Sequence, residues 1–300
     1  MPTVLDATQT AARLPWPALI DEIAALLRDA TVQVPPRLVQ PLPGGGSLFV
    51  MPAHDGRVAI TKLITFTPAN AGQGRPTIQG DVVVFDIATG QRRLVLDGPT
   101  VTARRTAAVS ALAARQLAPN LKGPLLIVGA GVQGRAHLEA FAQGLGVTDM
   151  QIASRSVSSA QMLVTHAQSL GLRARVVDDA NAALADCPLV VTCTPAAEVV
   201  LRGVPRDDAF IAAVGAFTPT MVELGARLCR HCAELGSVVV DTADAAHEAG
   251  DLLQAGLHVA ACATLADVVR GGSTPARGPV LFKSCGWAGW DLAAARCALR

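Results

Sequence analysis

Residues 125–137 read Leu125-Leu126-Ile127-Val128-Gly129-Ala130-Gly131-Val132-Gln133-Gly134-Arg135-Ala136-His137. Four apolar residues make a short buried strand, and three glycines spaced GxGxxG turn the chain into a helix-compatible stretch. Gly129 suits the tight turn, Gly131 lets the backbone approach a pyrophosphate, and Gly134 lets the new helix pack close to the strand. The first N–H groups of that helix then face the phosphates. Glycine-rich turns are common, so the spacing alone says little. The strand before it and the helix after it make a dinucleotide site the better reading, with Gly129, Ala130, Gly131, Val132, Gln133 and Gly134 as its cradle.

The end of the second strand bears on which dinucleotide. After a helix over about Ala136–Leu145, the strand Met150-Gln151-Ile152-Ala153 runs into Ser154-Arg155-Ser156. A site for NAD(H) places an Asp or Glu here to accept from the ribose 2′-OH. This chain has none. Arg155 instead offers a forked cation between the hydroxyls of Ser154 and Ser156, which suits a 2′-phosphate. The residues therefore favour NADP(H), with NADH left open as a second donor.

Outward from this turn, the rhythm of the chain sets the fold class. Strands are expected at 125–129, 150–154, 174–177, 189–193, 210–214 and 237–240 with helices between them, the pattern of a doubly wound parallel sheet. Upstream, a helix over Trp16 to Arg28 precedes strand-like runs at Ser47–Met51, Val58–Thr65, Asp81–Ile87 and Arg92–Leu96, with a turn at Ala88-Thr89-Gly90. These suggest an antiparallel sheet or open barrel, followed by an alanine-rich helix over Thr102 to Leu117. The expected class is α/β: a Rossmann domain over 119–279, an α+β domain over 1–118, and a segment over 280–300 that returns to the first domain.

The 300 residues carry a net charge of +1 with only 16 % charged side chains, so no field is present to recruit nucleic acid or an acidic membrane surface. No apolar run is long enough to span a bilayer, and Asp6 with its polar neighbours is unlike a leader peptide. Seven scattered cysteines suit a reducing compartment, and a cytoplasmic protein is expected. Cys229-Arg230-His231-Cys232 has no second ligand pair nearby to complete a metal site, so no metal is expected.

Three basic positions in the first domain stand out: Arg37 after Pro35-Pro36, Lys62 inside the apolar run Val58–Ile64, and Arg104-Arg105-Thr106. Surface cations often lie over apolar ground with their charge in water. Lys62 resists that reading, because an ammonium inside an apolar strand is costly unless paired. A small anionic ligand would resolve the cost. Ser47, in the glycine-rich segment Gly44-Gly45-Gly46-Ser47, is a second polar candidate near the same pocket.

These residues, with Met51-Pro52, Thr102–Ala108, Gly129–His137, Thr192-Cys193-Thr194 and Val280–Asp291, resemble the ornithine cyclodeaminase/mu-crystallin family over nearly the whole chain. The resemblance implies that Arg37 and Arg105 hold a substrate carboxylate and that Lys62 lies beside the reacting carbon and nitrogen. It implies that Thr106 and Thr194 touch the phosphates and adenosine, and that Val214 and Ser284 lie near the nicotinamide. It also implies a homodimer joined through the first domain, with the nucleotide between the two domains.

In this resemblance, cyclodeaminases place an aspartate where Ala213-Val214-Gly215-Ala216-Phe217 has Phe217. A phenyl ring moves no proton. The expected activity is therefore that of the imine-reducing branch: reduction of Δ1-pyrroline-2-carboxylate to proline or Δ1-piperideine-2-carboxylate to pipecolate. Lys62, with Ser47 as the second candidate, would supply the proton, and Phe217 would wall the substrate from water. A cyclodeaminase using another acid, or a non-catalytic NADP-binding protein, are the alternatives. The retained Arg37, Lys62 and Arg105 argue against the latter. Ring size stays open, since one methylene is worth only ~1–3 kcal/mol of discrimination.

Overall fold

A computed structural model describes residues 3–70, 73–195, 198–271 and 277–300. Met1 and Pro2, which begin the segment read above for a leader, lie outside the described residues. The backbone forms two units, one running to Thr106 and resuming over Trp287–Arg300, the other spanning Ala107–Gly286.

The first unit begins with β1 (Thr3–Val4), α1 (Ala7–Ala12) and α2 (Trp16–Arg28). The strands β2 (Leu38–Leu42), β3 (Gly46–His54), β4 (Val58–Phe66), β5 (Ile78–Asp86) and β6 (Arg92–Asp97) follow. Among the described residues they make a six-stranded sheet of order β1-β6-β5-β4-β3-β2, antiparallel except for β1 beside β6. The period of two is plain in β4, where Ile60, Lys62 and Ile64 are buried while Leu63 on the other face is 47 % exposed. A slip of one residue would exchange the two faces. β2 was not foreseen. Its Pro41 lowers its strand character, and the edge position it takes is where a proline is tolerated.

α3 (Gly98–Leu117) starts four residues before the expected Thr102. Asp97 explains the earlier start: its carboxylate accepts from the Thr100 N–H at 2.8 Å, an N-cap contact that satisfies one of the first free donors. Thr106 is therefore well inside the helix, not at its opening.

The second unit contains β7 (Leu125–Val128), α4 (Val132–Leu145), β8 (Asp149–Ala153), α5 (Val157–Ser169), β9 (Arg173–Val176), α6 (Ala180–Ala183), β10 (Leu189–Thr192) and β11 (Phe210–Ala213). It continues with α7 (Ala226–Leu235), β12 (Ser237–Val240), α8 (Ala245–Glu248), α9 (Gly250–Gln254), β13 (Ala263–Thr264), α10 (Leu265–Val269) and β14 (Val280–Lys283). The described strands form one parallel sheet of order β13-β12-β14-β11-β10-β7-β8-β9. Strand order reverses between β7 and β10, the switch point at which open α/β sheets bind ligands beyond the carboxyl ends of their strands.

The expected segment over 280–300 is divided. Val280–Lys283 pairs with β11 and β12 inside the parallel sheet, and the first unit resumes only at Trp287. Three apolar residues and a lysine, all buried, have no periodicity to mark them as a strand. α11 (Ala288–Ala298) then packs against α2 and across β3, β4 and β5, buried at every residue but Arg296. Trp290 is fully buried and meets Trp287 edge to face at 4.9 Å. Trp290→Ala should cost about 3–5 kcal/mol through the cavity it leaves. The check is a lower midpoint in denaturant-induced unfolding.

Candidate active site

In the first unit, α11 and β4 bring three charged side chains together in the interior. Lys62 Nζ donates to Asp291 Oδ1 at 3.0 Å and stands 2.8 Å from Oδ2. Arg105, on α3, places Nε 3.4 Å from the same Oδ1, an ion-pair contact without hydrogen-bond geometry. Lys62 is 1 % and Asp291 0 % exposed, and Arg105 is 7 % exposed. Among the described residues, two cations thus share one carboxylate, leaving one buried positive charge uncompensated. Arg37, just before β2, adds a further positive field at Lys62.

Burial pulls the Lys62 pKa down from 10.5 to about 8. Asp291 opposes that shift, while the charges of Arg105 and Arg37 reinforce it. The group therefore titrates within reach of neutrality, as a proton donor must. An ammonium has three donors, and the carboxylate leaves at least one for a ligand.

Ser47 lies on β3 on the same sheet face as Met51, the cross-strand partner of Lys62. Four residues of strand separate Ser47 from Met51, roughly 13 Å. The structure therefore does not bring Ser47 into the Lys62 cluster, contrary to the expectation of a shared pocket. Thr106 is buried with its hydroxyl donating to the Thr102 carbonyl at 2.8 Å.

In the second unit, the glycine turn follows β7 as expected, and α4 begins directly at Val132 rather than near Ala136. Gly129 has φ +117°, and a Cβ at Gly134 would lie 2.0 Å from the Gly129 carbonyl oxygen. Only glycine at 134 permits this approach of helix to turn. A Cβ at Gly131 would meet nothing within 4 Å, so the space beside it is open, and as N-cap it offers no side chain to the first N–H groups of α4. Val132 is 72 % exposed beside that opening, and the Gln133 side-chain oxygen is buried without a hydrogen-bond partner among the described residues. An open cradle with free helix donors fits a pyrophosphate. His137 is a strut: its ring meets the Gln133 carbonyl at 2.8 Å and Ser110 Oγ at 2.9 Å. Burial lowers its pKa to about 4, so the ring is neutral.

At the end of β8, the Ser154 hydroxyl accepts from the Ser156 N–H, and Ser156 caps α5 through the Ser159 N–H. Arg155 between them is exposed and makes no ion pair among the described residues. Thr194, after β10, gives its N–H and its hydroxyl to Glu223 at 2.6 and 2.9 Å. Val214 continues β11, its N–H bonded to the Thr192 carbonyl at 2.9 Å, and the Ser284 hydroxyl donates to Asp241 at 2.8 Å. Phe217 packs on the core of this unit, against the cluster that includes Val128, Ala213 and Cys285. Cys229 and Cys232 are buried thiols pushed up to about 12 by burial, and no group of three or more metal-ligating side chains occurs among the described residues.

Sequence reasoning gave no role to Asp291 or Glu223. Asp291 had a signal: it is a lone acid in the apolar run Ala288–Ala295, as costly there as Lys62 is in β4. Glu223 had none, since Val222-Glu223-Leu224 reads as an ordinary loop.

The sequence profile of the ornithine cyclodeaminase/mu-crystallin family matches residues 3–299. Delta(1)-pyrroline-2-carboxylate reductase 1 of Burkholderia multivorans is 40 % identical over 304 residues, covering 98 % of this chain and 94 % of that protein. Delta(1)-pyrroline-2-carboxylate/Delta(1)-piperideine-2-carboxylate reductase of Azospirillum brasilense is 39 % identical over 298 residues, with the same coverage of 98 % and 94 %. The structure of Thermococcus litoralis Delta(1)-pyrroline-2-carboxylate reductase, in complex with NADH and L-proline, superposes with a TM-score of 0.85 over 98 % of this chain and 92 % of that one, at 24 % identity. This last likeness is one of fold. With a glycine turn, a buried Lys62–Asp291–Arg105 cluster and a full-length profile match, the chain belongs to the ornithine cyclodeaminase/mu-crystallin family.

Proposed function

We propose that this protein reduces small cyclic imines that carry a carboxylate at the imine carbon, with NADPH as the preferred donor. The substrates are Δ1-pyrroline-2-carboxylate, giving L-proline, and Δ1-piperideine-2-carboxylate, giving L-pipecolate. The observation that carries this reading is the uncompensated positive charge at Lys62 and Arg105, buried around a single carboxylate. A buried cation of that kind is stable when an anion completes it. The names of the Burkholderia and Azospirillum relatives, at 40 and 39 % identity, support the same substrate class.

On this reading, Arg105 and Arg37 hold the substrate carboxylate through charge-assisted hydrogen bonds and fix the ring. Gly129–Gly134 and the first turn of α4 hold the pyrophosphate of the dinucleotide, and Ser154, Arg155 and Ser156 hold its 2′-phosphate. When bound, the nicotinamide supplies a hydride to the imine carbon. A neutral imine accepts hydride poorly, so the Lys62 ammonium keeps a proton on the imine nitrogen. Asp291 fixes the direction of that ammonium and raises its hold on the proton. Phe217 supports reduction over deamination, since it puts a phenyl ring where cyclodeaminases carry an acid. The same reading includes a homodimer formed through the outward face of the first unit's sheet, supported by the exposure of Leu38 and Leu63, which the register places on that face. It also includes a cytoplasmic setting, supported by seven cysteines without a disulfide. No helix among the described residues is long and apolar enough to cross a membrane.

NADPH oxidation with each imine, alongside ammonia release from ornithine, tests the reading. Imine reduction should dominate, and ornithine deamination exceeding it would overturn the assignment.

The pH dependence follows from Lys62. With its pKa lowered to about 8, the ammonium is present below that pH, and kcat/KM for the imine should fall as pH rises through it. Asp291→Asn removes the group that holds the proton on. The alkaline limb of its pH profile should then move to lower pH, and an unmoved limb would separate Asp291 from the chemistry.

For the cofactor, Arg155→Asp should raise the Kd for NADPH at least tenfold and spare or improve NADH, read by titration of nicotinamide fluorescence. Unchanged binding of both would remove Arg155 from the site.

A further inference from the structure

A second buried charge cluster lies wholly within the second unit, at the carboxyl ends of β10, β11 and β14. Glu223 is fully buried and each of its oxygens is occupied. Oε1 accepts from the Thr194 N–H at 2.6 Å and the Thr194 hydroxyl at 2.9 Å. Oε2 accepts from the N–H groups of Gly215 at 2.6 Å and Ala216 at 3.3 Å. One carboxylate thus ties the loop after β10 to the loop after β11. The two loops are so close that a Cβ at Gly215 would lie 2.1 Å from the Thr194 carbonyl oxygen.

Behind Glu223 stands a second layer. Asp251 Oδ1 accepts from the backbone N–H groups of Glu223 and Leu224 at 2.6 and 2.8 Å, and its Oδ2 lies 2.7 Å from Lys283 Nζ. Lys283, at the end of β14, also donates to the Ala216 carbonyl at 2.6 Å. Burial pushes the Glu223 pKa up, while Lys283 and the surrounding N–H groups work to keep the carboxylate charged. A buried ion pair is weak evidence for stability, because apolar side chains of the same volume serve as well or better. Three charges retained here call for another reason, and their contacts supply it. All converge on two loops beside the switch point of the sheet, where ligands bind.

We propose that Glu223, backed by Asp251 and Lys283, is a positioning residue that holds the loops at Thr194 and Val214–Ala216 in the arrangement that receives the dinucleotide. This rests on the reading of the chain as a nicotinamide-dependent reductase. The substrate-carboxylate residues belong to the other unit, so loss of Glu223 acts on the dinucleotide and on turnover, not on recognition of the imine.

Glu223→Gln tests it. The amide replaces two acceptor sites by an NH2 group, so at least one loop N–H loses its partner and faces a donor. In the protein without added ligand, amide hydrogen exchange at 194, 215 and 216 should speed up at least tenfold, with β10 and β11 still protected. The Kd for NADPH, read by fluorescence, should rise at least tenfold. At saturating NADPH, kcat for imine reduction should fall at least tenfold while the KM for the imine stays within twofold. If Glu223→Gln does not fold, Thr194→Val removes only the hydroxyl contact and should show the same changes, at threefold or more. Exchange and NADPH binding that match the unmodified protein would overturn the proposal, as would faster exchange with NADPH binding unchanged. Neither readout needs the imine. Failure of the imine assay alone therefore counts against the substrate assignment and leaves the loop measurement to decide this one.

Discussion

The Asp291 carboxylate, set between Lys62 and Arg105, is the contact on which the first unit depends. An ammonium on the inner face of a sheet would be unstable without it, because desolvating a charge costs far more than an apolar side chain of that size returns. The contact makes demands on the chain at long range. β4 must hold a register that turns Lys62 inward and leaves Leu63 outside. α11 must cross β3, β4 and β5 closely enough to deliver Asp291 from 229 residues away in sequence. That crossing explains why α11 is buried nearly all round and rich in alanine, since small side chains let a helix lie near a sheet. Removing Asp291 would leave two buried cations facing each other, so the acid serves both the fold and the state of Lys62.

The two buried clusters differ in how completely they are satisfied. Around Glu223, four donors meet two oxygens, and Lys283 and Asp251 complete each other. Three of the four carboxylate oxygens of Glu223 and Asp251 accept from backbone or hydroxyl donors, so that cluster is suited to holding backbone in place. Around Asp291, two cations share one anion, and Arg105 Nε lies in contact without a hydrogen bond. That cluster is incomplete as it stands. On the proposed reading, the substrate's carboxylate supplies the charge that completes it.

The parts of this arrangement legible in sequence are those that rest on local pattern. The glycine turn announced itself because a strand, three glycines and a helix follow one another within thirteen residues. Lys62 was legible because its cost is local, an ammonium among Ile60, Leu63 and Ile64. The partner that offsets the cost was not, because nothing in a chain states which distant helix will lie over a given strand. Glu223 was less legible still: its neighbours are ordinary, and its role arises from loops that meet only once the parallel sheet is formed. The starts of α3 and α4 were missed by about four residues each for a related reason. The Asp97 cap and the glycine turn let helix begin at residues whose own propensities do not demand it. Ser47 failed differently, since its glycine-rich setting suggested a loop near Lys62 and the strand register carries it about 13 Å away.

Proton traffic decides between the reactions open to such a chain. Attack by an amine or a water on an iminium carbon, the step that leads to ammonia, needs a base to accept a proton. In the first unit, the acid beside Lys62 is Asp291, and its negative charge is held between two cations. In the second, Glu223 is committed to four donors, and position 217 offers a phenyl ring packed on the core. Lys62, drawn down to about 8 yet still held to its proton by Asp291, is a donor at neutral pH. On the proposed reading, a ready acid on Lys62 beside an Asp291 already engaged suits a reaction that keeps a proton on nitrogen while carbon receives a hydride. On that reading, the balance of charge around Asp291 bears on the direction of the chemistry as well as on the shape of the first unit.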